Sequence, residues 1–341
     1  MNIYDTGFIN RVVDDLATVP TVFLETFFPE VLNHDTEEVY IDKVSDKPRL
    51  TPFVHPLHEG KIVDSAGYTT KSVKPAYIKD LRVHNALKAL KRRAGEAIGG
   101  SYTPAQRQQL NLIADLADQR RMALRRMEVM AIEAIRDGKQ TIIGEGFNAV
   151  VDFGRDNSLT DTLTSGDKWD AATPPDIPAQ LEDWSQEIAD FDGNVEAVFM
   201  DPKAWKLFRN NTYVQKQLDK TLVGIDSSLI IAPQTALKAG VQYKGMLGSF
   251  PIYVYTGSYI DPADGQAKKY LDDFTVVMAG RRCEGVRHFG AIMDVDVLVS
   301  REFYAQSWTE RNPSRRMLQM ESAPLMVPYR PNSSKKITVA S

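Results

Sequence analysis

Cysteine is almost missing from this chain: Cys283 is the only one among 341 residues. No intrachain disulfide can form, and a paired-cysteine zinc site is excluded. So little thiol also points to synthesis in a reducing, intracellular setting. Long apolar runs are missing too, since no stretch approaches the ~18 apolar residues that a membrane helix needs. Asp5, Asp14, Asp15 and Glu25 interrupt the N-terminal segment, where a signal peptide requires a basic start and an unbroken apolar core. The expectation is a soluble chain with no membrane partner. Neither sign of charge dominates: 41 Lys and Arg stand against 45 Asp and Glu, a net charge of −4. That balance argues against a protein whose main task is bulk phosphate neutralisation.

Recognisable chemistry is scarce as well. There is no GxSxG elbow, HExxH helix or Walker loop, and nothing pairs a nucleophile with a base. Gly144, Gly146 and Ala149 have the spacing of a dinucleotide fingerprint, yet Val150, Val151 and Phe153 follow them and favour a strand where the motif needs a helix. His55, His58 and Glu59 could suggest a metal site, but Pro56 between the histidines breaks the helix that would set both on one face. Asp261, Asp264 and Asp272 lack the alternate spacing and closing Glu of a calcium loop, so a hairpin turn explains them better. The reading is of no catalytic, cofactor-binding or metal-ligating residue and no cofactor. A metal-dependent hydrolase using His55 and His58 is the alternative from the enzyme class.

What is present is organisation. Length alone favours one large domain with insertions or two domains. Residues 1–50 show only short apolar bursts between polar turns, the pattern of an arm that needs a neighbour. From Pro52 to Tyr77, β-branched runs alternate with Gly60, Gly67 and three prolines, which predicts a two-stranded loop turning near Asp64 to Gly67. Pro104 to Asp137 reads as one helix, with Thr103 and Gln106 forming a capping box, proline in the first turn and Gly138 as the stop. Leu110, Ile113, Ala117, Leu124, Met127, Ala131 and Ala134 form its apolar stripe, broken at Arg120, with Asp118, Arg121, Arg125 and Glu128 on other faces. At 1.5 Å per residue it would run ~50 Å, long enough to brace something larger. Strand character follows at Thr141 to Phe153, then a polar connector over Asp156 to Pro178. Helices are expected at Ile177 to Asp190 and, capped by Asp201, at Lys203 to Lys220, with strands at Val195 to Met200, Pro251 to Tyr255 and Phe274 to Met278. Strands return over Arg301 to Thr309 and Met317 to Val327. Two basic clusters stand out, Lys88, Lys91, Arg92 and Arg93 before the long helix and Arg120, Arg121, Arg125 and Arg126 on it. Interspersed acids make a salt-bridged or subunit-contacting face the better reading than a DNA groove.

Several short pieces carry a resemblance when taken in order. They are Phe23-Leu24 with Phe27-Phe28 and Glu30; Thr36-Glu37 with Val39-Tyr40; Pro75 with Tyr77 and Lys79; Gly144-Glu145; Asp201-Pro202-Lys203 with Trp205 and Leu207-Phe208-Arg209; Tyr243-Lys244-Gly245-Met246 with Gly248; and Ser322-Ala323-Pro324-Leu325-Met326. Across the whole chain they resemble the lambda-type major capsid protein family of tailed bacteriophages. The resemblance implies an α+β fold, the tailed-phage major capsid (Johnson) fold. Its parts would be an N-terminal arm (1–50), an extended loop (51–82), a peripheral domain with the spine helix (83–145), an axial domain (146–300) and peripheral C-terminal strands (301–341).

It also implies a role: a major head protein that assembles as hexamers and pentamers into an icosahedral virion shell around double-stranded DNA, held without sequence specificity. Scaffolding protein, a portal and a decoration protein would be partners, in the bacterial host cytoplasm, and the procapsid would expand. Subunit contacts are expected from Phe27, Phe28, Tyr40, Lys61, Asp64, Tyr68, Lys71, Lys74 and Tyr77, with charge contacts from Arg121, Arg125 and Arg126 on the spine. The axial motif would be Asp201, Trp205, Arg209, Tyr243 and Lys244. Some related shells form Lys-Asn crosslinks, for which Lys61, Lys71 and Lys74 are placed, whereas the lambda-type branch uses a cementing protein. An encapsulin-type cargo shell of the same fold is the structural alternative.

Overall fold

The computed structural model describes residues 3–16, 21–44, 50–59, 68–92, 94, 96, 98, 100, 102–144, 147–216, 240–294 and 300–340. In chain order the first elements are α1 (Thr6–Asp15), α2 (Val22–Phe27), β1 (Glu30–Asn33), β2 (Val39–Val44), β3 (Tyr68–Val73), β4 (Ile78–Asn85), α3 (Ala86–Leu90), α4 (Pro104–Asp137), β5 (Lys139–Gly144) and β6 (Phe147–Asp152). Next come β7 (Thr160–Thr162), α5 (Ile177–Ala189), β8 (Ala197–Met200), α6 (Pro202–Asn210), β9 (Val241–Leu247), β10 (Phe250–Tyr255), β11 (Ser258–Ile260) and β12 (Ala267–Lys269). The last are β13 (Thr275–Ala279), β14 (Gly285–Phe289), β15 (Tyr304–Arg311), β16 (Ser314–Ser322), β17 (Pro324–Pro328) and β18 (Ser334–Thr338).

Local chemistry sets both ends of α4. The Gln106 N–H donates to the Thr103 hydroxyl at 3.3 Å, and the Thr103 N–H donates to Gln106 Oε1 at 2.8 Å, with Pro104 needing no partner. Gly138 closes the helix at φ 63°, and a Cβ there would meet the Arg155 Cβ at 2.5 Å, so conformation and space both require glycine. The buried stripe differs from expectation in the first half, where Leu112, Leu116 and Gln119 point inward in place of Leu110, Ile113 and Ala117. The cause is packing: α1 and the β15-β16-β4 sheet cover that side. From Met127 to Ile132 every residue is buried, because α2 and β17 enclose the helix as well.

A six-stranded sheet in the order β7-β18-β13-β8-β10-β9 divides the interior into two cores. Side chains alternate across a strand, so β8, β9, β10 and β13 feed both. Val198, Met200, Ile252, Val276, Met278 and Ile337 pack with Leu181, Trp184 and Ile188 of α5 and Phe208 of α6. Ala197, Phe199, Val277, Ala279 and Tyr255 join the larger core of Phe23, Phe27 and the α4 side chains. At about 25 cal/mol per Å² of apolar area buried, these two layers supply most of the driving force for the fold.

Four expectations are corrected. The α1 and α2 segments do not wait for a neighbour: Ile9, Val13, Phe23, Leu24, Phe27 and Phe28 are buried in the chain's own core. The two-stranded loop exists but starts earlier, since β3 pairs antiparallel with β2 (Val39 opposite Val73), while the described residues 50–59 contain no strand. The expected turn at Asp64 to Gly67 lies outside the described residues. The second axial helix stops at Asn210, because Asn211 adopts extended backbone and its side chain caps a new helical turn at 212–216, accepting from the Tyr213 N–H at 2.9 Å and the Val214 N–H at 3.2 Å. Finally, β18 lies against α4 but is not paired with β15 and β16, entering instead the six-stranded sheet between β13 and β7.

Candidate functional site

The candidate functional regions are the surfaces left open and the contacts that hold them in place. Among the described residues no three His, Cys, Asp or Glu side chains are arranged to hold a metal ion, and His55 and His58 are exposed with rings 5.6 Å apart.

Glu128 anchors the N-terminal region. Its carboxylate accepts N–H donors from Val22 (3.0 Å), Phe23 (2.9 Å) and Leu24 (2.9 Å), the free donors of the first turn of α2, and the Tyr255 hydroxyl at 3.0 Å. Burial pushes this carboxyl above the usual range, while the four donors pull it back. Burial likewise raises the Tyr255 phenol, with Glu128 adding to the effect. Sequence reading set Glu128 on an outward face. The available signal was its place inside the apolar run Met127 to Ile132. Arg120 was also missed as an anchor: rather than merely breaking a stripe, it donates to the carbonyls of Val13 and Leu16 at 2.6 Å each, satisfying the end of α1.

The β2–β3 ribbon springs from this anchored region. Period-two alternation buries Val39 and Ile41 and leaves Tyr40 62% exposed. Lys71 donates to the Asp152 carbonyl at 3.3 Å, and Lys74 pairs with Glu37 at 3.1 Å. The ribbon root is pinned to Gly290-Ala291: the Tyr77 hydroxyl donates to the Ala291 carbonyl at 2.8 Å, and Pro75 lies 3.1 Å from where a Cβ on Gly290 would sit. Of the expected contact residues, Tyr40, Lys71 and Lys74 are therefore on the ribbon's surface and Tyr77 is tied into its root. Tyr68 pairs its backbone with Val44, whereas Lys61 and Asp64 lie outside the described residues. Phe27 and Phe28 are corrected, being 1% and 0% exposed and packed within their own subunit.

On α4, Arg121 is tied to Asp118 at 2.8 Å, and Asp118 also holds Arg82 at 2.8 Å. Its carboxyl is held below the usual range, first by the Arg82 hydrogen bond. Arg125 and Arg126 make no ion pair among the described residues. Both line a groove of about 740 Å³ between α4, the start of β4 and the β11–β12 hairpin, beside the exposed Leu81, Met122 and Ile260. Four consecutive residues of β4 (78–81) and three of β11 (258–260) line it, so main chain as well as side chain faces this space.

The axial motif separates into two roles. Asp201 is fully buried and structural, accepting from the N–H groups of Lys203 (2.8 Å) and Phe274 (3.3 Å). Trp205 stacks on Phe208 at 5.5 Å, Lys244 sits 6.0 Å above the Trp205 ring, and Tyr243 meets Tyr253 at 5.4 Å. Arg209 is exposed at the end of α6.

The chain is 29% identical to the major capsid protein of Escherichia phage lambda over 346 residues, covering 100% of both. It is 32% identical to the major capsid protein of Enterobacteria phage P21 over 338 residues, covering 96% of each. A crystal structure of a prophage capsid protein from E. coli CFT073 superposes with a TM-score of 0.72 at 21% identity, over 97% of this chain and 96% of that one. The capsid of cyanophage P-SCSP1u shares the fold at a TM-score of 0.51 and 10% identity, over 95% and 90%. The family model described as phage major capsid protein E matches residues 8–339, and the chain belongs to that family.

Proposed function

We propose that this chain is the repeating subunit of a tailed-phage head, associating as hexamers and pentamers into an icosahedral shell that encloses double-stranded DNA without reading its sequence. The observation that carries this reading is family membership across residues 8–339. The open surfaces support it. Tyr40 on the ribbon, Leu50, Phe53 and Leu57 beyond it, and the groove bearing Arg125 and Arg126 are the surfaces offered to neighbouring copies. Many modest contacts of this kind add up by multivalency, so no single one need be strong.

On this reading α1, α2, α4 and the sheet β15-β16-β4 form the peripheral part and the six-stranded sheet with α5 and α6 the axial part. The extended loop is residues 39–77. Scaffolding protein and a portal would direct assembly in the bacterial host cytoplasm, a decoration protein would bind outside, and the procapsid would expand by re-seating the loop. Expression with and without scaffold, followed by sedimentation and negative-stain microscopy, tests it. Capsomers or shells are expected; a compact monomer at high concentration overturns the reading. Nuclease-protected DNA in native particles would separate a genome shell from a protein-filled one.

A further inference from the structure

At the root of the ribbon two imidazoles meet in an unusual way. His34 follows β1 and is half-buried, whereas His288, one residue before the end of β14, is 1% exposed. Their rings lie nearly coplanar, edge to edge, with centroids 5.0 Å apart and an interplanar angle of 18°, and His34 Nε2 lies 2.7 Å from His288 Nδ1. On its other side His288 Nε2 is 3.3 Å from the Tyr329 hydroxyl. Only one hydrogen fits between two nitrogens at that distance. With His34 Nε2–H donating to His288 Nδ1, the second His288 nitrogen keeps its own proton for Tyr329. The chain runs directly from His34 into the ribbon: the His34 N–H donates to the Phe289 carbonyl at 2.8 Å, the last rung beside β14, and β2 begins at Val39.

We infer that the His34–His288 pair is a proton-operated pin at the root of the β2–β3 ribbon, closed while His288 is neutral and released when both rings carry charge. A first proton on the second nitrogen of His34 leaves the bridging hydrogen bond intact. A second, on His288 Nδ1, sets two N–H groups head to head and two cations edge to edge, so the pair must part. The two protons thus belong to the pair, and only the second breaks it.

The surroundings fit this assignment. From β1 the same sheet face carries Glu30, opposite Val286, and β17 contributes the uncharged Leu325 and Val327. Asp35 adjoins His34, Tyr329 closes the far side, Lys74 and Tyr77 lie in the link from β3 to β4, and Glu37 lies in the turn before β2. Arg287 turns to the opposite face, toward the Pro29 carbonyl at 3.3 Å and Glu302. Burial, and then the neighbouring His34, lower His288 to about 4. A group whose value is depressed in the closed form stabilises that form above the free value and loses the contribution as pH falls below it. The window therefore opens near 6.5, the ordinary value for histidine, and runs down toward 4.

Hydrogen exchange on the unassembled full chain tests the pin, comparing peptides from residues 30–44 with α5 after correction for intrinsic rates. Protection of 30–44 relative to α5 should fall about tenfold per pH unit from pH 6.5 to 5, a range in which ordinary carboxylates stay ionised. His288→Gln should flatten that slope, and Glu37→Gln should leave it unchanged. An unchanged protection ratio in the wild type overturns the inference, as does a full slope in His288→Gln. If that variant does not fold, ring-nitrogen NMR of the wild type decides. His288 staying neutral down to pH 5 while the ribbon loosens supports the pin, and His288 titrating near 6.5 with the ribbon unmoved refutes it. None of these readouts depends on shell assembly.

Discussion

Thr21 to Phe28 and residues 50–59 are both short, apolar and N-terminal, yet they are treated oppositely. In the first, Phe23, Leu24, Phe27 and Phe28 are all at most 1% exposed, and the three N–H groups opening α2 are matched by one carboxylate. In the second, Leu50, Phe53 and Leu57 are 97%, 106% and 89% exposed. An apolar segment with its backbone satisfied inside its own subunit serves folding. One that leaves large side chains in water has a use only when something covers it. The difference teaches that apolar content alone does not separate core from contact surface; the position of a backbone partner such as Glu128 does.

Variants can test that contrast. Phe23→Ala, which empties space between Phe199 (rings 4.5 Å apart) and Phe27, is expected to cost about 3–5 kcal/mol of subunit stability in denaturant titrations. Glu128→Ala leaves three N–H groups and a hydroxyl without their acceptor and should cost on the order of 3 kcal/mol, with loss of exchange protection confined first to α2. Gly138→Ala puts a methyl against Arg155 at a left-handed φ and should cost roughly 1–3 kcal/mol, read as a lower melting midpoint. Tyr40→Asp should move the midpoint by less than about 0.5 kcal/mol, as surface changes do, while sedimentation shows assembly impaired. If Tyr40→Asp instead unfolds the subunit, the ribbon belongs with the core and the contrast fails.

Acid supplies a smaller probe. Burial alone would raise the Asp137 carboxyl, but Arg136 and Lys336 outweigh it and hold the group below the usual range. Its contribution is therefore complete above the ordinary carboxylate value and is lost as pH falls through the lowered one. Asp137→Asn should make the stability curve shallower below about pH 4. Because the pair joins the end of α4 to β18, the loss should appear in the core and leave the ribbon's exchange unchanged.

Much of the architecture was legible from local signals. Thr103, Pro104, Gln106 and Gly138 mark the ends of α4 because caps act within four residues, and Asp201 marks the start of α6 for the same reason. Short runs of β-branched and aromatic residues located β8, β10 and β13. The errors share a different cause. Assigning β3 a partner from residues 52–60 assumed that strands close in sequence pair together, whereas β2 lies further back and wins because Val39 and Ile41 reach the core. Phe27 and Phe28 were placed at an interface, since no local rule says which subunit buries a phenylalanine.

Composition and short-range pattern were enough to exclude disulfides and paired-cysteine metal sites, to delimit the long helix and to carry the family resemblance, because each depends on residue identity or on neighbours a few positions apart. Tertiary structure alone decided that Glu128 caps α2, that Arg120 ends α1, that β18 crosses into the six-stranded sheet and that His34 meets His288. Those pairs are separated by roughly a hundred residues or more, except that β18 meets β13 at about sixty, and no local propensity acts over that distance. They exist because burying an unpaired polar group costs more than the chain entropy of bringing its partner from afar.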